Sequence, residues 1–165
     1  MSEVVRAIIA LGGNLGDRKA TITSAIKAIR DVQGIKVLDK SGMVESFAFT
    51  EQGLDETAPR YLNAVIAIET KLKPKKLLEE MRAIETAHGR VRLSKWGSRT
   101  LDIDIITYGS LIKETKLLTL PHPRAHERAF VLVPWAQIDQ DAVLPGHGKI
   151  AALADSLKHQ VWELE

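Results

Sequence analysis

Two carboxylates separated by one residue, Asp102 and Asp104, are the first side chains in this sequence that could perform chemistry together. They lie in an Ile-rich run, residues 101–108, between Gly97 and Gly109, and such a run is typical of a strand. Residues two apart in a strand share a face, with about 7 Å between their Cα atoms. Because two such charges repel each other unless a cation lies between them, the pair predicts a site for a divalent metal.

A cluster of cations with no acid among them precedes the carboxylates: Arg90, Arg92, Lys95 and Arg99. Carboxylates beside such a cluster suit an anionic substrate that carries metal, and a nucleoside triphosphate with magnesium is the commonest example. The alternative is a strand with a solvated face next to a basic surface loop, and the spacing alone leaves both interpretations open. Repulsion among the cations also predicts that residues 90–99 form a loop that closes only over bound substrates.

Length and composition limit the class of protein. The 165 residues, 45% of them hydrophobic, suffice for one domain over 1–165 with its own core. The absence of cysteine excludes disulfides and thiolate metal sites. No apolar run approaches the roughly 20 residues of a membrane span, and the N-terminus lacks a signal-peptide pattern. We therefore expect a soluble cytoplasmic monomer, with too small a net charge (+2) for a dedicated nucleic-acid binder.

The first elements follow from hydrophobic periodicity. Residues 4–11 form a nearly continuous apolar run that ends at Gly12 and Gly13, so a buried strand leads into a tight turn. The glycines of GGNLG match neither standard phosphate-binding motif, and the turn explains them more simply. Asp17 is placed to cap the helix that follows. The apolar positions of this helix repeat at helical spacing: Ile22, Ala25, Ile26 and Ile29.

Two more strands are predicted before the second helix. Residues 35–47 form the first of them, and the polar segment 51–60 that follows is predicted to be an exposed loop. Residues 61–72 alternate as the other strand. Asn63 lies near its start and needs hydrogen-bond partners if it is buried, although most buried asparagines simply bind backbone groups.

The second helix begins at Pro74 and ends at Gly89. Its buried stripe is predicted to contain Leu77, Leu78, Met81 and Ile84. Glu85, one turn from the end of this helix, opposes the helix dipole. Either cations beyond Gly89 hold this carboxylate or it is simply exposed to solvent.

The segment after the acid pair contains a rigid Pro-His-Pro turn at residues 121–123, which fixes the direction of the His122 side chain. Since the sequence has no zinc-type cluster, we do not expect His122 to bind metal. Residues 131–138 and 150–157 are predicted to be short helices, and 161–165 a terminal strand or tail.

The order strand, helix, strand, strand, helix, strand predicts an α+β sandwich of the ferredoxin-like kind. In this fold an antiparallel sheet carries helices on one face and substrate loops on the other. Ile103 and Ile105 would face the helices. Asp102 and Asp104 would then point to the loop side, where ligands are expected.

The sequence also resembles a known family. KWGSRTLDIDII is similar to the signature of the 6-hydroxymethyl-7,8-dihydropterin pyrophosphokinases, and ALGGNLGD, YLNAV and LPHPRAHERAF resemble other blocks of that family in the same order. The resemblance covers nearly the whole chain. It implies the same fold and the ATP-dependent transfer of pyrophosphate to a pterin alcohol in folate biosynthesis, with release of AMP. It also implies two Mg²⁺ ions held by Asp102 and Asp104.

The resemblance assigns further roles by position. It makes the following residues catalytic: Arg90, Arg99, Asp102 and Asp104. It places the following residues at ATP: Glu85, Arg92, Trp96, Arg99, Ile105, Thr119, His122 and Arg128. It places the following residues at the pterin: Thr50, Tyr61, Asn63, Trp96 and Phe130. Asn63 would be donor and acceptor for the amide-like edge of the pterin, and Asn14 would shape the pocket rim. Without the resemblance, Phe130 is explained equally well as core.

Positions that depart from the family pattern bear on the adenosine contacts: Arg82, Leu117 and Pro123.

Two other classes of protein have to be distinguished from this family. A nucleic-acid-binding module of the same fold needs aromatic residues paired on the sheet face, and the 3 Trp, 2 Tyr and 3 Phe include no such strand motif. A metal-dependent nuclease or another phosphotransferase could share the acid pair, and AMP release that requires the pterin alcohol would distinguish them.

Overall fold

The computed structural model describes residues 3–50, 53–55, 57, 59–89 and 100–163, with only the backbone described at 48–50 and 53–55. The strands up to the second helix are β1 (Val5–Gly13), β2 (Ile35–Lys40), β3 (Val44–Ser46), β4 (Ala48–Thr50), β5 (Gly53–Asp55) and β6 (Tyr61–Thr70). The later strands are β7 (Asp102–Tyr108), β8 (Lys113–Glu114), β9 (Thr119–Leu120), β10 (Val143–Leu144), β11 (Gly148–Lys149) and β12 (Val161–Glu163). The helices are α1 (Arg18–Arg30), α2 (Pro74–Ala87), α3 (Ala129–Ile138) and α4 (Ile150–Leu157).

The central sheet is antiparallel and has the order β12-β3-β6-β1-β7, with β2 also paired to β6. β6 is long enough to pair with β3 near its start and with β2 near its end. The predicted βαββαβ order is present in the central sheet and its first two helices. Its members are β1, α1, the interrupted strand formed by β2 and β3, then β6, α2 and β7. The predicted α+β class is therefore confirmed.

The expected placement of helices on one face needs correction. One face of the sheet, which contains residues such as Ile9 and Ile103, is covered by α1 and α2. On the opposite face α3 and α4 cover residues such as Val65 and Ile106. Both faces of the central strands are apolar over most of their length, so each needs a cover. The loop side is consequently limited to one end of the sheet.

The predicted strand over 35–47 and the loop over 51–60 also differ from the structure. The strand is interrupted between Lys40 and Val44, where the Ser41 hydroxyl accepts from the backbone N–H of Val65 at 2.9 Å. The segment predicted as a loop contains β5, which pairs with β4. A side-chain hydrogen bond from a residue distant in sequence and a short hairpin are not visible in the local hydrophobic pattern.

The predicted helix boundaries are well matched. Asp17 caps α1, because its Oδ1 accepts from the backbone N–H of Ala20 at 3.1 Å. α2 begins at Pro74, and its predicted stripe is buried.

The predicted terminal strand is present as β12. Its Trp162 donates a hydrogen bond from Nε1 to Glu45 at 2.9 Å. Within the described ranges, no helix is both long and apolar enough to span a membrane.

Candidate active site

Asn63, Gly12 and Asp102 lie side by side in a row across three neighbouring strands. Gly12 of β1 is the register partner of Asn63 in β6 and of Asp102 in β7. Residues directly opposite each other in antiparallel strands project from the same face. The amide and the carboxylate therefore rise on either side of a residue that has no side chain. A Cβ atom at Gly12 would lie 2.9 Å from Asn63 Oδ1, so glycine keeps the floor of this site open.

The acid pair lies at one end of this floor. Asp104 shares the face of Asp102, and its side chain is 25% exposed. Arg128 Nη1 lies 3.8 Å from Asp104 Oδ2, and the Arg128 guanidinium is 5.4 Å from the centre of the Phe130 ring. Burial and then the charge of Asp102 raise the pKa of Asp104 to about 7, although Arg128 and Arg82 oppose the shift. The charge of Asp102 thus adds to the effect of burial on the pKa of Asp104.

This donor set fits magnesium that arrives with a phosphorylated substrate. In the described part of the chain, no three His, Cys, Asp or Glu side chains are grouped so that they could hold a metal. Mg²⁺ is usually bound through one or two carboxylates, with substrate phosphates and water completing its coordination. Asp102 and Asp104 supply that share, and a bound cation would relieve the repulsion that raises the pKa of Asp104.

Glu85 is buried beneath the acid pair instead of being exposed to solvent. Its side chain is 1% exposed, and Oε2 accepts from the backbone N–H of Ile103 at 2.7 Å. Oε1 accepts from Arg82 Nη1 at 2.9 Å. The expectation that cations beyond Gly89 hold this carboxylate falls outside the described residues. Within them, Glu85 binds a helix cation and the strand between Asp102 and Asp104.

Arg82, a departure from the family pattern, is brought to the acid pair by this contact. Its Nη1 also lies 3.4 Å from the carbonyl oxygen of Ile103. Burial lowers the pKa of Arg82, but the hydrogen bond and charge of Glu85, with the charges of Asp104 and Asp102, outweigh burial and raise it. Sequence reasoning noticed this position only as an oddity. The signal that could have found it is the spacing of three residues between Arg82 and Glu85 on one helix.

His122 is held as a neutral side chain beside the acid pair. Its backbone N–H donates to the carbonyl oxygen of Ile106 at 2.8 Å, and its Nδ1 accepts from the backbone N–H of Arg124 at 3.2 Å. Burial, followed by the charge of Arg128, lowers the pKa of His122 to about 4, against the influence of Asp102. Since Nδ1 accepts, the neutral ring carries its proton on Nε2. His122 can therefore donate a hydrogen bond from Nε2 at neutral pH.

Asn63 is buried, as its position in the strand suggested, and is 3% exposed. Its Nδ2 donates to Ser46 Oγ at 2.9 Å and to the carbonyl oxygen of Val44 at 3.3 Å. A carbonyl oxygen can only accept, so the amide nitrogen must be the atom that faces it. Both amide hydrogens are thus engaged. Among these contacts Oδ1 is the atom left to accept, and the role of Asn63 as both donor and acceptor for a ligand stays a prediction.

Ser46 was missed by sequence reasoning, because a serine in a short strand carries no signal that its partner will be an amide across the sheet. In the sheet Ser46 of β3 lies opposite Tyr61 of β6, and the Tyr61 side chain projects from the same face as that of Asn63. Phe130 is partly buried and packs against the cluster that contains Val44, so its core role and its place beneath Arg128 coexist. The predicted rim residue Asn14 is buried and donates from Nδ2 to the carbonyl oxygen of Pro59 at 3.0 Å.

The remaining predicted nucleotide contacts differ in position. Ile105 lies in the core cluster beneath α1 and α2, so its side chain faces away from the acid pair and only its backbone could meet a nucleotide on that face. Thr119 lies in β9, opposite Glu114. Thr50 lies in β4, but its side chain is outside the described part. The following predicted residues, and the predicted loop closure, also lie outside it: Arg90, Arg92, Lys95, Trp96 and Arg99.

Comparisons with known proteins show which family the chain belongs to. Residues 8–140 match the family model for 7,8-dihydro-6-hydroxymethylpterin-pyrophosphokinase (HPPK). A 2-amino-4-hydroxy-6-hydroxymethyldihydropteridine pyrophosphokinase of Haemophilus influenzae is 42% identical over 150 residues, which are 91% of each chain. A protein of the same name from Methylorubrum extorquens is 39% identical over 151 residues, 92% of this chain and 93% of the relative.

The fold also matches a solved structure. The wild-type HPPK-DHPS of Plasmodium falciparum, crystallised with pterin and p-hydroxybenzoate, superposes with a TM-score of 0.71 at 12% identity. The match covers 97% of this chain and 45% of that longer chain. At such low identity the likeness shows the fold alone, and the sequence comparisons show the family. The chain belongs to the 7,8-dihydro-6-hydroxymethylpterin-pyrophosphokinase family.

Proposed function

We propose that the floor formed by Asn63, Gly12 and Asp102 is where this chain transfers pyrophosphate from ATP to 6-hydroxymethyl-7,8-dihydropterin. The reaction belongs to folate biosynthesis and releases AMP. The family match and the names of the relatives support this reaction. Asp102 and Asp104 would hold magnesium, and through it the ATP phosphates, while Asn63 would bind the pterin.

The observation that carries the proposal is the shared register of the three residues. Adjacent strands are about 4.8 Å apart, so Asn63 and Asp102, on either side of β1, are separated by roughly 10 Å. A flat two-ring pterin fits such a span across a floor without side chains. Its ring edge would meet the amide while its hydroxymethyl group extends towards the carboxylates.

The chemistry requires charge compensation more than covalent participation by the protein. The pterin hydroxyl oxygen forms a bond to the β-phosphorus of ATP as the bond from that phosphorus to the AMP oxygen breaks, and the hydroxyl proton is released to water. Bound Mg²⁺, for which we propose two ions, would neutralise the triphosphate and orient the attacking oxygen. Asp102 and Asp104 would hold these ions in place. The side chains of Arg90, Arg92 and Arg99 would stabilise charge on the transferred group.

Residues around the acid pair would position the nucleotide. Arg128, which lies beside Asp104, would meet a phosphate, and the Phe130 ring beneath it would contact the pterin. His122 would donate a hydrogen bond from Nε2 to a phosphate or ribose oxygen without adding charge. Glu85 would act on ATP indirectly, through Arg82 and β7.

A coupled assay of AMP release tests the proposal. We expect AMP to form only when ATP, magnesium and the hydroxymethyl pterin are all present, and in equal amount to the pterin diphosphate. AMP release without the pterin, or cleavage of nucleic acid, would favour the nuclease or another phosphotransferase.

We also propose that the protein works as a cytoplasmic monomer whose partners are these small molecules. Light scattering of the purified chain tests its oligomeric state.

A further inference from the structure

We infer that Trp162, in the terminal strand β12, is a positioning residue for the pterin side of the site. Through Glu45 and Arg60 it holds the start of β6, which carries Tyr61. The identity of the ligand rests on the proposed function. The structural part, that Trp162 holds this stretch of backbone in place, can be tested without any ligand.

Trp162 belongs to a group of four side chains, called here the edge cluster: Glu45, Phe47, Arg60 and Trp162. Trp162 lies opposite Glu45 of β3, and its ring meets the Phe47 ring edge-on, with the ring centres 5.1 Å apart. The Arg60 guanidinium lies 4.7 Å from the centre of the Trp162 ring and 5.5 Å from that of the Phe47 ring. A cation at this distance over a tryptophan ring is attracted by the negative face of the ring. Arg60 is therefore attached to a strand that is distant in the chain.

Glu45 supplies the negative charge of the edge cluster. Its Oε1 accepts from Arg18 Nη2 at 2.8 Å, and its Oε2 accepts from Trp162 Nε1 at 2.9 Å. Arg60 Nη1 lies 3.5 Å from the same Oε2. The hydrogen bond from Arg18, with smaller contributions from Trp162 and Arg60, outweighs burial and lowers the pKa of Glu45. The carboxylate therefore stays charged at neutral pH and joins Trp162 to both arginines.

The backbone around Arg60 is held as well as its side chain. The carbonyl oxygen of Arg60 accepts from Arg18 Nη1 at 2.9 Å, and that of Pro59 accepts from Asn14 Nδ2 at 3.0 Å. Tyr61 follows directly and begins β6. The family resemblance places Tyr61 at the pterin and Asn14 at the rim of its pocket. The edge cluster therefore anchors the stretch of chain that joins these two predicted contacts.

The edge cluster lies on the opposite face of the sheet from the proposed pterin floor. Glu45 is the register partner of Leu62, which is buried beside Ile22 of α1. Successive residues of a strand project from opposite faces, so the Tyr61 side chain points away from this cluster. Trp162 consequently reaches the pterin side through the backbone of β6. Its loss should weaken pterin binding without removing a group that touches the ligand.

A double-mutant cycle tests the path from Trp162 to Arg60. The KM values for pterin and for ATP are measured by AMP release in Trp162→Ala, Arg60→Ala and the double variant. Each single change should raise the pterin KM about 3- to 10-fold, the effect of losing one contact between a cation and an aromatic ring. The kcat and the ATP KM should stay within about twofold of the wild type, because only ground-state pterin binding is weakened.

The double variant separates a shared path from two independent effects. Because both changes break the same path, its pterin KM should rise by much less than the product of the two single effects. An unchanged pterin KM in Trp162→Ala, or a double variant that equals the product, would overturn the inference. A wild type without pterin-dependent AMP release would overturn the proposed function instead.

Arg6→Ala is the matched control. Arg6 Nη2 lies 3.4 Å from Asp139 Oδ2, and the Arg6 side chain is 50% exposed, as is that of Arg60. The variant thus loses a comparable surface ion pair outside the edge cluster. It should keep the pterin KM within about twofold of the wild type. A rise equal to that in Arg60→Ala would contradict a specific role for the edge cluster.

The second experiment needs no ligand. The side-chain amide hydrogens of Asn14 are observed by NMR, and their exchange with solvent is compared in the wild type, Trp162→Phe and Trp162→Ala. Trp162→Ala should speed this exchange about 3- to 10-fold, because the Pro59 carbonyl that accepts the hydrogen bond is no longer held in place. Trp162→Phe keeps a ring beside Arg60 and loses the Nε1 donor, so a smaller increase is expected.

Unchanged exchange of the Asn14 amide in both variants would overturn the positioning role, whatever the ligand is. If Trp162→Ala does not fold, Trp162→Phe replaces it in both experiments. An Asn14 exchange rate and a pterin KM equal to those of the wild type in Trp162→Phe would then overturn the inference.

Discussion

Glu85 accepts a 2.7 Å hydrogen bond from the backbone N–H of Ile103 and so joins α2 to β7 midway between the two site aspartates. The same carboxylate binds Arg82, which leaves neither oxygen without a partner. A residue that resemblance places at the nucleotide is therefore also part of the support beneath the acid pair. Its removal should affect stability as well as catalysis.

Glu85→Gln tests this support with little change of shape. Arg82 Nη1 and the Ile103 N–H are both donors, each on its own carboxylate oxygen, so the amide nitrogen of glutamine must face one of them. We expect the free energy of unfolding to fall by about 2 to 4 kcal/mol, measured by urea denaturation. Glu79→Gln, an exposed change on the same helix, should alter it by no more than about 0.5 kcal/mol. Similar losses in both variants would contradict a special role for Glu85.

Asp102→Ala and Asp104→Ala should each reduce turnover by at least about 10²- to 10³-fold, because each removes a group that holds the charge-compensating metal. The measurement is AMP release at saturating magnesium, with circular dichroism to check that the fold remains. Asp39→Ala, in β2 and exposed, is the control and should retain full activity. Turnover above about a tenth of the wild type in either site variant would refute the metal assignment.

The raised pKa of Asp104 predicts how stability depends on pH without metal. Its folded pKa of about 7 exceeds the ordinary value of 3.8, so the folded protein binds the extra proton between these values. Stability from this group is present below about pH 4 and is lost as the pH rises through 7. Asp104→Asn should therefore stabilise the metal-free protein at pH 8 by on the order of 1 to 3 kcal/mol. Equal unfolding free energies at pH 8 would contradict the raised pKa of Asp104.

His122 should make the stability of the protein depend on pH in the opposite direction. Its folded pKa of about 4 lies below the ordinary 6.5, so the unfolded chain binds the extra proton between these values and stability is lost as the pH falls. In the wild type this loss offsets part of the Asp104 effect between about pH 4 and 6.5. His122→Asn should remove it, leaving stability that declines more steeply as the pH rises through that range. An unchanged pH profile of unfolding would show that His122 is not held neutral.

Gly12→Ala should weaken pterin binding while leaving the nucleotide affinity nearly unchanged. The added Cβ would lie 2.9 Å from Asn63 Oδ1, too close for the amide to keep its place. We expect at least a tenfold loss of pterin affinity by calorimetry, since the displaced amide no longer meets the ligand. Gly42→Ala, whose Cβ would lie 3.5 Å from Gln137 Oε1, is the control. Unaltered pterin affinity in Gly12→Ala would rule out the proposed floor.

Much of the fold was predictable, because it depends on patterns within single elements. The common face of Asp102 and Asp104 follows from strand geometry alone, and α2 follows from its apolar stripe and Pro74. The break in the strand over 35–47 was missed, although the dipeptide Ser41-Gly42 is a turn signal. Local periodicity could not show that the Ser41 hydroxyl accepts from the backbone N–H of Val65 in β6.

The sequence by itself determined the element order, the acid pair and the family signature, since each is a property of neighbouring residues. Only the tertiary structure decided that Gly12 stands between Asn63 and Asp102, because that row depends on the register of strands far apart in the chain. It also decided that Ser46 holds the amide of Asn63. The physical reason is that a strand sequence specifies which side chains share a face, whereas pairing specifies which residues of other strands lie beside them.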